Sequence, residues 1–276
     1  MDVAFCREDS KEYDAYSFSQ LSRATLERKR RLLICPECKG IAFFRRESSD
    51  GRAACFGARP HADTCSLAGS EAGDWGTDGS DVEDERRNAG DHIVIDLSYG
   101  ADADGPDGAA GGDRRHAGAG RTFTGSGMPR QSRSQKRLST LLRWLVKSEN
   151  FRQSTQVIEL PGRITLPANQ LFVPFDRIDA SLRAKFHGFW GMISDATASK
   201  GVVWLNTSGH KGFSVMIETQ SAVDAFKKRY SITSLEQLAG AYVLVFAQLV
   251  KSGKTDKLFS RVDDIGYIVV NIADTK

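Results

Sequence analysis

Hydrophobic positions are spread unevenly along the chain, and their spacing changes character from one stretch to the next. Over 14–31, Tyr16, Phe18, Leu21 and Leu26 precede a basic run, Arg28-Lys29-Arg30-Arg31, at a spacing that predicts a short helix. From 66 to 130 apolar residues thin out among Gly, Ala, Asp and Ser. Such a composition cannot bury enough surface to offset its ordering entropy, so a disordered linker is predicted there. One island, Ile93-Val94-Ile95-Asp96-Leu97, reads as a short strand, free to fold back and complete the N-terminal module over 92–98.

Order resumes at 131. Leu138, Leu141, Leu142, Leu145 and Val146 recur at helical spacing and predict a helix over 132–147. Short strands are predicted at 157–160 and 171–173. Strands follow over 185–194, 201–206 and 213–218, then a helix over 221–230 with Ser221 as N-cap and Asp224 three residues on. A helical turn over 234–239 is stopped by Gly240. An apolar strand over 241–250, a turn at 251–256 and a last strand over 257–270 end the pattern. In 201–206 the alternation separates Val202, Trp204 and Asn206 from Val203 and Leu205, without saying which face is inside.

The predicted fold class is α+β, mostly β, with an N-terminal module over 1–65, an acidic linker over 66–130 and a globular domain over 131–276. No stretch approaches the roughly 18 apolar residues of a membrane-spanning helix. The first residues lack the apolar core of a signal peptide. The expectation is a cytoplasmic protein with no membrane partner.

Charge sharpens this division. Residues 126–276 hold 21 Lys+Arg against 12 Asp+Glu, while 66–120 hold 4 against 13. A basic C-terminal half points to an anionic partner. The five cysteines all lie in the first 65 residues, a clustering that favours metal ligation over a disulfide framework.

Cys35-Pro36-Glu37-Cys38-Lys39-Gly40 has the form of a zinc knuckle: two thiolates bite one ion, and the glycine relieves the turn facing the sulfurs. His61 and Cys65 supply a second pair, so Cys35, Cys38, His61 and Cys65 form a candidate closed, structural Zn2+ site. Cys55 could replace His61 or Cys65, or be a buried thiol, and a redox Cys-x-x-Cys is the alternative to ligation. Cys6 is not expected to be a ligand. Together with Ala42-Phe43-Phe44-Arg45-Arg46 and Phe56-Gly57-Ala58-Arg59-Pro60-His61, this stretch resembles, over about 60 residues, the zinc module at the front of competence-associated, CoiA-like bacterial proteins. In that family a nuclease domain follows. Here the low-complexity linker follows instead, so the resemblance implies a zinc module and does not extend to nuclease activity.

The strand–helix–strand order over 185–270 resembles an OB-fold, which implies a five-stranded barrel, here preceded by a helix, that binds single-stranded nucleic acid across strands 2 and 3. On that resemblance Trp190, Trp204 and Phe213 are candidate stacking residues, and Lys200, His210, Lys211, Lys251, Lys254 and Lys257 candidate backbone contacts. Trp190 and Trp204 could equally be core residues, and the lysines could simply solubilise loops.

For catalysis there is no phosphate-binding glycine loop, no Gly-x-Ser-x-Gly and no His-Glu-x-x-His. The acid pairs Asp263-Asp264 and Asp176/Asp179 read as solvated caps, and His187, beside Phe186, as packed or surface. The expected function is a non-enzymatic single-stranded nucleic-acid-binding protein, DNA first. The alternatives are a protein–protein adaptor or an accessory subunit of a bacterial DNA-processing or defence nuclease.

Overall fold

In the computed structural model, which describes residues 1, 3–47, 53–62, 64–68, 79–97, 133–209, 212–253 and 255–272, strands dominate a mixed α/β architecture. The N-terminal aromatics gather one small core. Strands β1 (Val3–Cys6), β2 (Lys11–Asp14) and β3 (Leu33–Ile34) form a sheet in the order β2-β1-β3. Helices α1 (Ala15–Ser19) and α2 (Arg23–Lys29) replace the single helix predicted over 14–31. Asp14 and Ser22 each accept a hydrogen bond from the amide three residues on, so the segment has two N-caps and two helices. Strands β4 (Ala42–Arg45) and β5 (Cys55–Ala58) pair antiparallel. Phe18 lies 4.9 Å from Phe44 and 5.4 Å from Phe56, edge to face, at the centre of this module.

A second layer contains α3 (Gly79–Asn88), β6 (His92–Asp96), β7 (Arg133–Arg137), α4 (Leu138–Lys147), α5 (Glu149–Arg152), β8 (Val157–Leu160), β9 (Ile164–Pro167), α6 (Ala168–Leu171) and β10 (Phe172–Pro174). Its sheet runs β7-β6-β8-β9, with β6 parallel to both neighbours. Three expectations change here. Residues 79–97, placed in the disordered linker, form a helix and a strand. The strand does not complete the N-terminal module; it sits between β7 and β8, because Ile93 and Ile95 are buried among Leu141, Trp144 and Ile158. The helix predicted from 132 begins at Leu138, since Arg133–Arg137 pair in register with His92–Asp96. The rest of the predicted linker, 69–78 and 98–130, lies outside the described residues.

The C-terminal sheet is built from β11 (Phe186–Met192), β12 (Asp195–Ser199), β13 (Val202–Asn206), β14 (Ser214–Ile217), β15 (Tyr242–Lys251), β16 (Leu258–Val262) and β17 (Ile268–Asn271), with α7 (Gln220–Arg229) between β14 and β15. Its order is β10-β11-β15-β16-β14-β13-β12, with β17 also on β15; β14 and β16 run parallel. Strand β12 was not predicted, because Asp195-Ala196-Thr197-Ala198-Ser199 carries no apolar alternation; Lys200 and Gly201, both at positive φ, turn it tightly into β13. The N-cap of α7 is Thr219 rather than Ser221. The last predicted strand is divided into β16 and β17 by a turn at Ile265–Tyr267.

Strand β15 is apolar from Tyr242 to Ala247 because both of its faces are covered there. Val243, Val245 and Ala247 face one core with Phe189, Val215 and Phe226. Leu244 and Phe246 face another with Leu141, Leu145, Phe172 and Trp190. Among the described residues no helix is long and apolar enough to cross a membrane.

The N-terminal module is clamped to this sheet. Arg30 makes two bonds to Glu236, at 3.0 and 2.8 Å, and Arg31 two to Asp195, at 2.7 and 3.0 Å. Gly209 N–H donates to the Arg31 carbonyl at 2.8 Å. The Phe43 ring packs under Gly240, whose φ is +82° and where a Cβ would fall 2.4 Å from the ring. Asp195 is 1% exposed, so its charge depends on these partners. Replacing Arg31 with Ala leaves that carboxylate uncompensated and is expected to lower the unfolding free energy by about 3 kcal/mol, read from urea midpoints at constant m. A loss under about 0.5 kcal/mol, the level of an ordinary surface change, would mean that the clamp is dispensable.

Candidate metal centre and outer sheet face

Sequence spacing brings the four predicted ligands together. Cys35 leaves β3 and enters a turn in which its N–H donates to Gly40 O at 2.8 Å and its carbonyl accepts from Lys39 N–H at 3.1 Å. Lys39 has φ +60°, and a Cβ on Gly40 would lie 2.6 Å from Pro60 O, so glycine is required where the second ligand segment crosses the first. That segment turns at 62–65, with Cys65 N–H donating to Ala62 O at 2.9 Å. Glu37 ties the two turns by accepting from the Ser66 amide at 2.9 Å and its hydroxyl at 2.6 Å.

The ligand atoms of Cys35, Cys38, His61 and Cys65 all lie within 4.8 Å of one another. Cys35 Sγ is 3.7 Å from Cys65 Sγ, and Cys38 Sγ 3.5 Å from His61 Nδ1. Three sulfurs and one imidazole nitrogen at these separations can hold a metal ion. The thiols are not alike. The Ala62 amide, pointing at Cys38, holds it down at about 6, while burial pushes Cys65 up to about 11. A first thiolate therefore forms readily, and the last requires a cation beside it. Cys55 lies on β5 opposite Arg45 and outside the cluster, and Cys6 is buried on β1; among the described residues all five cysteines are free thiols.

The predicted nucleic-acid residues divide sharply. Trp190 is 9% exposed and packs with Leu244 and Phe246 beneath the second layer, and Phe213 is 3% exposed inside the main core, 5.4 Å from Phe189. Neither is available for stacking. The cause for Trp190 is the cover that α4 lays over this part of the sheet. Trp204 stays half-buried on the outer face of β13, between Thr197 and Met216, with Phe259 edge-on at 5.7 Å. Lys200 is exposed at the β12–β13 turn. Lys251 is exposed but paired with Asp256 at 2.7 Å. Lys257 is half-buried; burial, and then the charge of Arg31, lower its pKa. His210, Lys211 and Lys254 lie outside the described residues.

Met216, Phe259 and Arg261 were not anticipated. Strand pairing aligns Met216 with both Trp204 and Arg261, and the Arg261 guanidinium lies 5.6 Å over the Phe259 ring. Outward alternation in Phe259-Ser260-Arg261 was readable, but only the parallel pairing of β14 with β16 tells which strand it would meet.

No family profile matches the chain, and no curated protein is similar to it. Two solved structures share limited similarity. An OBody, AM3L09, bound to hen egg-white lysozyme, is 11% identical over 37% of this chain and 95% of its own, with a TM-score of 0.28. A putative aspartyl-tRNA synthetase from Leishmania major Friedlin is 10% identical over 42% of this chain and 22% of its own, with a TM-score of 0.27.

The cluster makes a direct prediction. Elemental analysis of the purified protein should return a single metal ion per chain, lost in Cys35→Ser and kept in Cys55→Ser. Retention in both variants would remove the four-ligand assignment.

Proposed function

We propose that this chain is a non-enzymatic, cytoplasmic protein that binds single-stranded nucleic acid, DNA in the first instance, on an OB-type barrel braced by a structural zinc site. The observation that carries it is the outer face of β12, β13, β14 and β16. There the half-buried Trp204 and the exposed Arg261 stand on the part of the sheet that the second layer leaves uncovered, with Met216 and Phe259, 8% and 9% exposed, packed beside them. Aromatic faces stack on bases of any sequence, and Arg261 and Lys200 supply phosphate contacts at its edges.

Strand connectivity supports the barrel. Only Ile193 and Ser194 separate β11 from β12, so the two read as halves of one bent strand. Ile193 N–H donates to Ala241 O at 2.8 Å, on the β15 side, and Ser194 N–H to Asn206 O at 2.8 Å, on the β13 side. With β10 and β17 set apart, the sheet begins on β11 and ends on β12, the two halves of that strand, and this order, with β14 parallel to β16, is the one an OB barrel would have and supports closure.

Zinc is the ion that the donor set favours. With metal–sulfur bonds of about 2.3 Å and metal–nitrogen bonds of about 2.0–2.1 Å, a tetrahedral centre separates two sulfurs by about 3.8 Å and a sulfur and a nitrogen by about 3.5 Å. The 3.7 and 3.5 Å separations fit it. Three thiolates and one imidazole fill all four positions, so the ion braces the fold and activates no water. Ligation needs reduced thiols, which suits a cytoplasmic setting.

The test uses the full chain, because β6 and α3 are integral to the layer that packs on the sheet. Fluorescence anisotropy with labelled single- and double-stranded DNA at two salt concentrations should show salt-sensitive preference for single strands. Trp204→Ala should lose about 1–3 kcal/mol of binding, and Arg261→Ala should reduce the salt slope by about 1. A folded protein that binds neither form would overturn this function and assign the same apolar face to a protein partner.

A further inference from the structure

Strand alternation carries the outer face of the sheet well beyond Trp204. Trp204 pairs with Met216, and Met216 with Arg261, across β13, β14 and β16. Val250 of β15 pairs with Phe259 of β16. Gln248 and Arg261, each two residues from that pair on antiparallel strands, therefore come level on the same face. Gln248 in turn pairs with Phe186 on β11. Arg261 and Gln248 are exposed, and Trp204 and Phe186 half-buried, so this row crosses the sheet where the second layer does not cover it.

At the far end of the row three segments distant in the sequence converge. Arg163, in the turn between β8 and β9, holds its guanidinium 5.8 Å from the centres of both the Phe186 and the Tyr267 rings. These two rings meet edge to face at 6.4 Å, and Phe186 also stacks on Phe246 at 6.3 Å. A cation resting on two rings keeps its place without a carboxylate. Among the described residues the exposed Arg163 side chain has neither an ion pair nor a hydrogen bond, so its N–H donors are open to a ligand. Lys185, next to Phe186, is exposed as well. Of the acids near this row, Glu218 lies 3.6 Å from Arg261, and Asp264 accepts from the Gly266 amide at 2.8 Å. Asp263, in the same turn, is exposed.

We infer that a single strand seated at Trp204 continues across the sheet to Arg163, which grips its phosphate backbone at a second pole supplied by the second layer. This rests on the single-strand-binding function proposed above, and adds to it the path of the strand and a contact from outside the barrel. Trp204 and Phe186 are four strand steps apart, from β13 through β14, β16 and β15 to β11. At about 4.8 Å a step the path is roughly 19 Å long. Stacked nucleotides rise roughly 3.4 Å each, so about six cover it, within the range of about 4–16 that one OB fold occupies. A guanidinium matches a phosphate with two parallel hydrogen bonds, and the rings already fix this one in place, so little ordering is lost when it binds.

Competition anisotropy on the full chain tests it, with a thymidine strand of about twelve nucleotides that spans both poles and one of about three that does not. Arg163→Ala should weaken the long strand about tenfold and lower its salt slope by about 0.7, while leaving the short strand, seated at Trp204, unchanged. Arg163→Glu should weaken the long strand further, and Trp204→Ala should weaken both strands. Arg163 is exposed, so its variants should keep the wild-type unfolding midpoint, which is measured alongside. Long-strand affinity and salt slope that neither Arg163 variant changes would overturn the path and leave the Trp204 face its function. Equal losses for the short and the long strand would also overturn it, since the second pole is beyond the reach of the short one. A wild-type chain that binds no strand would remove both readings, and poly-glutamate binding that depends on Arg163 would then give this surface to an acidic protein segment.

Discussion

A buried carboxylate organises the contact between the two ends of this chain. Asp195 begins β12 almost completely shielded from water, and a shielded charge must be matched in place. Asn206 donates to it at 2.9 Å from β13, Ser194 at 3.1 Å from its own turn, and Arg31 doubly from the N-terminal module. Ser214 then fixes the Asn206 amide by donating to its oxygen at 2.8 Å. The network spans β12, β13 and β14 and ends on a residue four positions before Cys35. It is satisfied only when the module is seated, so the edge of the sheet and the position of the metal cluster are set by the same hydrogen bonds.

Burial on two sides explains the rest of the layering. Alternation fails in Tyr242–Ala247 because odd and even positions both meet apolar partners, one set inside the C-terminal core and the other beneath α4. The outer face of the sheet is therefore divided. Where α4 lies over it, Trp190 is core; beyond its reach, Trp204 remains half-buried beside Met216 and Phe259. The same residue type on β11 and on β13 has two fates, decided by what packs outside and not by the strand itself.

This limits what could be read beforehand. The four ligands were legible because a chelate is a local demand: two donors three or four residues apart, each pair with its turn. Strands β11, β13, β14 and β15 were legible from their own apolar runs. Residues 79–97 were hidden because composition over a long acidic stretch averages away a short helix and a strand of alternating isoleucines, whose stability comes from α4 and β8 rather than from themselves. Strand β12 was hidden because Ala, Thr and Ser gain their partners only from β13. The outer face was half legible: Trp204 lies in an obvious strand, while Phe259 and Arg261 join it through a parallel pairing that no local pattern encodes.

The metal cluster and the clamp are also linked through covalent neighbours. His61 follows Pro60 and Arg59; Arg59 donates to Gly240 O at 3.4 Å, and Pro60 O sits where a side chain on Gly40 would be. The first ligand pair follows Arg30 and Arg31, which grip Glu236 and Asp195. Between the pairs, Arg45 donates to Ala239 O at 2.9 Å and Phe43 fills the space above Gly240. A chelate that fixes 35, 38, 61 and 65 therefore fixes, within one to seven residues, the groups that contact the C-terminal sheet. Much of the ordering entropy of that contact is then met before docking, which is how a small module with a modest core of its own holds a charged, partly buried interface in one geometry.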